Sequence, residues 1–176
     1  MQGIRIQQNL AYHQLTITCL KTGQLLQTLK DTALGAFYMW LKSYEAPIDY
    51  VEVPFNEAYI EIVYILKPHV SIVISEETVH QYLDTLIGKD ALLCMEEIAA
   101  TSIGEEYLEE NYNLKDFLLS FYSASTREEA LEVYNKWQEL IPFHHRVLYK
   151  VLEIMEYYLD EILNYFDYKI KTESGD

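Results

Sequence analysis

Carboxylates are missing from the first thirty residues, although the chain carries 28 Asp and Glu against 13 Lys and Arg. Asp31 is the earliest acid. No chemistry that needs a carboxylate can draw one from that segment. Cysteine is scarce too. Cys19 and Cys94 lie 75 positions apart, with no CxxC or Cys/His pairing, which excludes the usual zinc spacings and a disulfide scaffold. Their apolar neighbours, TITCL and ALLCME, lead us to expect two buried, reduced thiols in a cytoplasmic protein. Six glycines and four prolines leave no glycine-rich phosphate loop, low-complexity tract or flexible linker. No apolar run reaches the roughly 18 residues of a membrane helix. The start, MQGIRIQQNL, has no apolar core of a signal peptide.

What is present is apolar and aromatic. Half of the 176 residues are hydrophobic and 14% are aromatic, which excludes a disordered chain. Sixteen tyrosines fit the boundary of a core, where the ring packs and the hydroxyl stays wet. The net charge of −15 disfavours a grip on a phosphate backbone and favours a basic protein partner. Residues 105–176 hold 16 acids against 7 Lys and Arg.

Three short alternating segments come first. GIRIQ at 3–7 and LAYHQLTITCL at 10–20 are followed by a KTG turn and QLLQTL at 24–29, the pattern of an antiparallel meander. Gly23 suits a turn that needs positive φ. Asp31 is the expected cap of a helix carrying Leu34, Phe37, Tyr38 and Leu41. IDYVEV at 48–53 is a buried strand, and Pro54 suits the start of the next helix, which ends at Pro68. VSIVI at 70–74 is the fifth strand, with Ser75 opening another helix. From about 90 the pattern is helical. Ser102 with Glu105, and Ser125 with Glu128, have cap spacing. A single long amphipathic helix is expected over about 144–168, with Leu148, Val151, Leu152, Met155, Leu159, Ile162, Leu163 and Phe166 as its stripe.

LKDFLLSFYSASTREEALEVYNKWQELI at 114–141 and EILNYFDYKI at 161–170 resemble the helical part of the catalytic domain of the ISL-three insertion-sequence family of DDE transposases. GIRIQQNLAYHQLTITCLKTGQLL is similar to that family's opening strands. YVEVPFNEAYIEIV at 50–63 and PHVSIVI at 68–74 are similar to its fourth and fifth. The resemblance implies an α/β fold with a ribonuclease H-like core, namely a three-stranded meander, then helix, strand, helix and strand. That core would span 1–88, with an all-helical part over 89–176 packed as one structural unit.

It also implies three metal-holding carboxylates, which two divalent ions would need. The aligned positions hold Arg5, Pro54 and Asp176. Glu52 stands two places before the second of these. The family's Thr-Asn-Gly and following Glu give way to Lys171, Thr172, Glu173, Ser174, Gly175 and Asp176. A chain cut short within its catalytic domain, without the family's DNA-binding region, is the expectation. No catalytic residue, metal or other cofactor is assigned.

His144 and His145, His80, His13 and His69 each read as ordinary surface, helix, strand and turn residues. Glu153, Glu156, Asp160 and Asp167 fall on one side of the last helix. This is either a solvated face or a carboxylate ladder that imitates a phosphate backbone. Glu105, Glu106, Glu109 and Glu110 would extend it. Two functions stay open: an inactive transposase-like protein acting by binding a partner, or an acidic DNA mimic that inhibits a basic nucleic-acid-binding protein. Binding to DNA or a membrane is not expected.

Overall fold

A computed structural model describes residues 2–9, 12–30, 34–97, 109, 113–141 and 146–173, with backbone alone at 89–97, 146–147 and 169–173. Among them a five-stranded mixed sheet and seven helices form an α/β fold. The strands are β1 (Gly3–Asn9), β2 (Gln14–Cys19), β3 (Leu25–Leu29), β4 (Tyr50–Glu52) and β5 (Ser71–Val73). The helices are α1 (Leu34–Ser43), α2 (Glu57–Leu66), α3 (Glu76–Glu97), α4 (113–119), α5 (Arg127–Leu140), α6 (Arg146–Tyr157) and α7 (Leu159–Glu173). A 3₁₀ turn, Ser120–Ser123, follows α4.

The sheet order is β3-β2-β1-β4-β5. β1, β2 and β3 pair antiparallel, and β4 and β5 join parallel to β1. The expected meander is there, with Gly23 at φ 67° in its tight turn. His13 is not on a strand. It occupies the β1–β2 connection at φ 47°, a left-handed geometry in which Asn, Asp and His are the residues enriched after Gly. Each parallel partner is reached through a helix, as parallel pairing requires.

Side-chain alternation divides the sheet into two unlike faces. One carries Ile4, Ile6, Leu15, Ile17, Val51 and Ile72, all buried. Their register explains this: Ile4 pairs with Val51, Val51 with Ile72, and Ile6 with Ile17. Phe37 and Leu41 of α1 and Tyr59, Ile60 and Val63 of α2 are buried with them. The Phe37 and Tyr59 rings meet at 5.3 Å. The other face presents Gly3, Arg5, Gln7, Thr16, Thr18, Tyr50, Glu52, Ser71 and Val73, a mostly polar set.

Two compact units emerge, one of Met1–Thr78 with Asp167–Asp176, the other of Val79–Phe166. The boundary expected at 88 lies inside α3. The second unit is helical around Val79, Leu83, Phe121, Tyr134, Trp137, Leu148, Val151, Met155 and Phe166, all buried. Trp137 donates its indole N–H to the Leu114 carbonyl at 2.8 Å. Lys115, nearly buried, reaches Asp84 at 2.8 Å, and Asp84 also takes His80 Nδ1 at 2.8 Å.

Local details correct several sequence expectations. Pro54 does not open α2; Asn56 caps it, accepting from the Ala58 N–H at 3.0 Å. Thr126, not Ser125, caps α5, accepting from the Glu129 N–H, while Glu129 accepts from the Ser125 N–H at 2.9 Å. The long last helix is two, α6 and α7, with Tyr158 between them. The i to i−4 bonds nevertheless continue through Tyr158 on both sides, to Ile154 and from Ile162. Asp31, Ser102, His144, His145 and Asp176 lie outside the described residues.

Candidate functional site

β1 and β4 run parallel with Arg5 opposite Glu52. Side chains of paired residues on neighbouring strands share a face. Arg5 Nε donates to Glu52 Oε2 at 2.9 Å, a charge-assisted bond. The Glu52 side chain is only 8% exposed and that of Arg5 38%. The row across the sheet runs Thr18, Arg5, Glu52, Val73. A guanidinium therefore lies against the carboxylate on this row.

Tyr168, in the second half of α7, completes the cluster. Its ring packs on Tyr50 at 5.6 Å, and Tyr50 lies one pleat from Glu52. Burial pushes the Tyr168 pKa up, and the Glu52 charge pushes the same way, while Arg5 opposes them. The phenol therefore stays protonated beside the pair at neutral pH. Farther along β1 an open groove of about 370 Å³ is lined by Gln7, Gln8, Asn9 and Thr16. Amides and a hydroxyl supply neither a carboxylate for a metal nor a cation for a phosphate.

The residues do not suit a two-metal centre. Arg5 repels a cation, and Glu52 already has a counter-ion. Pro54 follows the end of β4, has no ligating side chain, and its carbonyl accepts from the Asn56 N–H at 2.7 Å. Among the described residues, no three His, Cys, Asp or Glu come together in a way that could hold a metal ion. No helix described is long and apolar enough to cross a membrane.

The carboxylates of the expected ladder are spread out. Glu153 and Glu156 are exposed on α6. Asp160 is exposed on α7 but bound by Arg127 Nη2 at 2.7 Å. Asp167 is half-buried, already engaged, and belongs to the other compact unit. Glu109 is exposed; Glu105, Glu106 and Glu110 lie outside the described residues. Cys19 departs from the expected buried thiol. It is half-buried at the end of β2, and hydrogen bonds from the Thr22 side chain and backbone lower its pKa, with burial opposing. The Cys94 side chain lies outside the described residues.

The Arg5–Glu52 pair was the feature that sequence reasoning missed. Its signal was present: a lone cation in an apolar strand needs a counter-charge, and Glu52 is the one acid in the buried YVEV.

Comparison with known protein families, curated proteins and solved structures found no match.

Proposed function

We propose that the chain is a transposase-like protein with a ribonuclease H-like fold whose catalytic site has been lost, and that it acts by binding a partner. The sheet order β3-β2-β1-β4-β5, with an antiparallel half and a parallel half, supports the fold. The observation that carries the loss of catalysis is the Arg5–Glu52 pair, an internal ion pair on the sheet position where metal ligation would need two free carboxylates. The Tyr168 ring beside it narrows the same face. Chemistry that depends on two bound cations has no footing there.

The test is a strand-cleavage and strand-transfer assay with Mg²⁺ and with Mn²⁺, on linear and nicked DNA. No product above a blank is expected. Metal-dependent product that disappears in Glu52→Gln would overturn the proposal.

A second function, an acidic inhibitor of a basic nucleic-acid-binding protein, draws on the placement of charge. Residues Val79–Phe166 hold 17 acids against 6 Lys and Arg, net −11 of the total −15. Such a complex would weaken steeply with salt. A complex unchanged by salt would count against it.

A further inference from the structure

We infer that the free edge of β1 beyond Arg5 takes an extended, uncharged polar segment of a partner protein as an added strand, which rests on the partner-binding role proposed above and gives it a place. β4 pairs with β1 only from Gly3 to Arg5, whereas β2 accompanies β1 to Asn9. β1 therefore runs on past its parallel neighbour.

The hydrogen bonds show which peptide groups lie on that side. The Leu20 N–H donates to the Gly3 carbonyl and the Asp49 N–H to the Gln2 carbonyl, each at 2.8 Å. Odd positions of β1 thus turn to β2 and even positions to β4. On β4 the Val53 N–H donates to the Val73 carbonyl at 3.3 Å, so odd positions turn to β5 and Pro54 turns to β1. In a continued parallel ladder Pro54 would donate to the Ile6 carbonyl and accept from the Gln8 N–H. Proline has no N–H to give. Its carbonyl accepts from the Asn56 N–H at 2.7 Å instead. Asn56 is the α2 cap, so the chain has already turned into that helix. Among the described residues, no backbone bond from a loop replaces the lost ladder at Gln8.

The groove of Gln7, Gln8, Asn9 and Thr16 lies along this stretch, with Gln7 and Thr16 as a cross-strand pair. Among the described residues, Gln7, Gln8 and Thr16 enter no side-chain hydrogen bond. Asn9 Oδ1 accepts from the Tyr12 N–H at 3.3 Å, which leaves the Asn9 Nδ2 hydrogens for a ligand.

Chemistry selects the occupant. A strand edge offers donors and acceptors at the spacing of another backbone. Side-chain amides and a hydroxyl both donate and accept, which suits peptide groups and polar uncharged side chains. Among the described residues no charged side chain lines the groove, so a charge brought there would lose hydration without a counter-ion. Nucleic acid would find no cation in it, and a second copy of the chain would bring another −15. The Gln7–Asn9 stretch is about 10 Å long, room for about three residues of an extended chain.

The test is amide-resolved NMR of the protein titrated with a peptide of repeated Thr-Gln. In the free protein the Gln8 amide should exchange with solvent at least about tenfold faster than those of Arg5 and Gln7, which turn to β2. The peptide should shift the Gln7, Gln8, Asn9 and Thr16 amide signals saturably and slow exchange at Gln8 by about tenfold or more. The same peptide N-methylated at alternate residues should bind at least about tenfold more weakly, because it lacks the edge donors. Gln8→Pro should weaken binding as much and leave the signals of α1 and α2 in place, since the Gln8 N–H faces away from β2. Gln7→Ala with Thr16→Val, which keeps the backbone, should weaken binding about threefold. Protection at Gln8 in the free protein equal to that of Arg5 and Gln7, no saturable shift, or equal affinity for the N-methylated peptide would overturn the proposal. So would the same shifts produced by oligouridine, or by raising the protein concentration alone, which would assign the edge to nucleic acid or to a second copy. None of these outcomes bears on metal binding at Glu52, so the loss of catalysis and the strand edge fail separately.

Discussion

Removing Arg5 should cost the protein about 2 kcal/mol at neutral pH. The substitution is Arg5→Met, which keeps an apolar stem and deletes the charge. Breaking a buried ion pair costs about 3–5 kcal/mol, because the remaining charge is stranded. Glu52 meets that description, with its side chain 8% exposed. Arg5 does not, being 38% exposed, so solvent already screens part of the attraction and the expected cost is lower. Urea unfolding followed by circular dichroism measures it. A double variant, Arg5→Met with Glu52→Met, should recover to within about 1 kcal/mol of the wild type. A single-variant cost below about 0.5 kcal/mol, or a double variant no more stable than the single one, would refute the claim that Glu52 depends on Arg5.

Among the described residues, Tyr59, Tyr82, Tyr134 and Tyr168 are shifted upward, chiefly by burial. Each holds its proton more tightly folded than unfolded, so their stabilisation is full below about pH 10 and is lost above it. Absorbance at 295 nm should show a group of phenols ionising only as the fold opens; a single smooth titration complete near pH 10 would contradict this. Thr126→Ala should lower stability by about 1 kcal/mol through loss of the α5 cap, whereas Ser125→Ala should cost little, since Ser125 contributes its backbone N–H. Asp84→Asn should cost about 1–3 kcal/mol by leaving nearly buried Lys115 without its 2.8 Å carboxylate. A melting temperature unchanged in that variant would show that Lys115 relies on its other contacts.

The five strands and the first two helices were legible because their patterns are local. Alternation in GIRIQ and LTITC, and the 3–4 spacing through Phe37 and Leu41, are imposed by the same buried face that the structure shows. The pairing of Arg5 with Glu52 was not legible. Parallel register between strands 47 positions apart depends on tertiary packing, and one step of slip moves every side chain to the other face. Alignment with the family that the chain resembles pointed to Pro54, two residues past the partner that Arg5 holds. The α5 cap was ambiguous for a different reason. Both Ser125 and Thr126 precede an acid by three positions, so only backbone geometry could separate them. The last helix was read as unbroken because its apolar spacing runs through Tyr158, and the backbone bonds there agree with the sequence more closely than the division into α6 and α7 suggests.

The central claim is that the Arg5–Glu52 pair occupies the place of a cation site. Titrating the protein with Mn²⁺, and reading free Mn²⁺ by electron paramagnetic resonance, tests it most directly. Diffuse, salt-sensitive binding is expected from a chain of net charge −15, and it should be the same in wild type and Glu52→Gln. A saturable Mn²⁺ site that vanishes in Glu52→Gln would contradict the account.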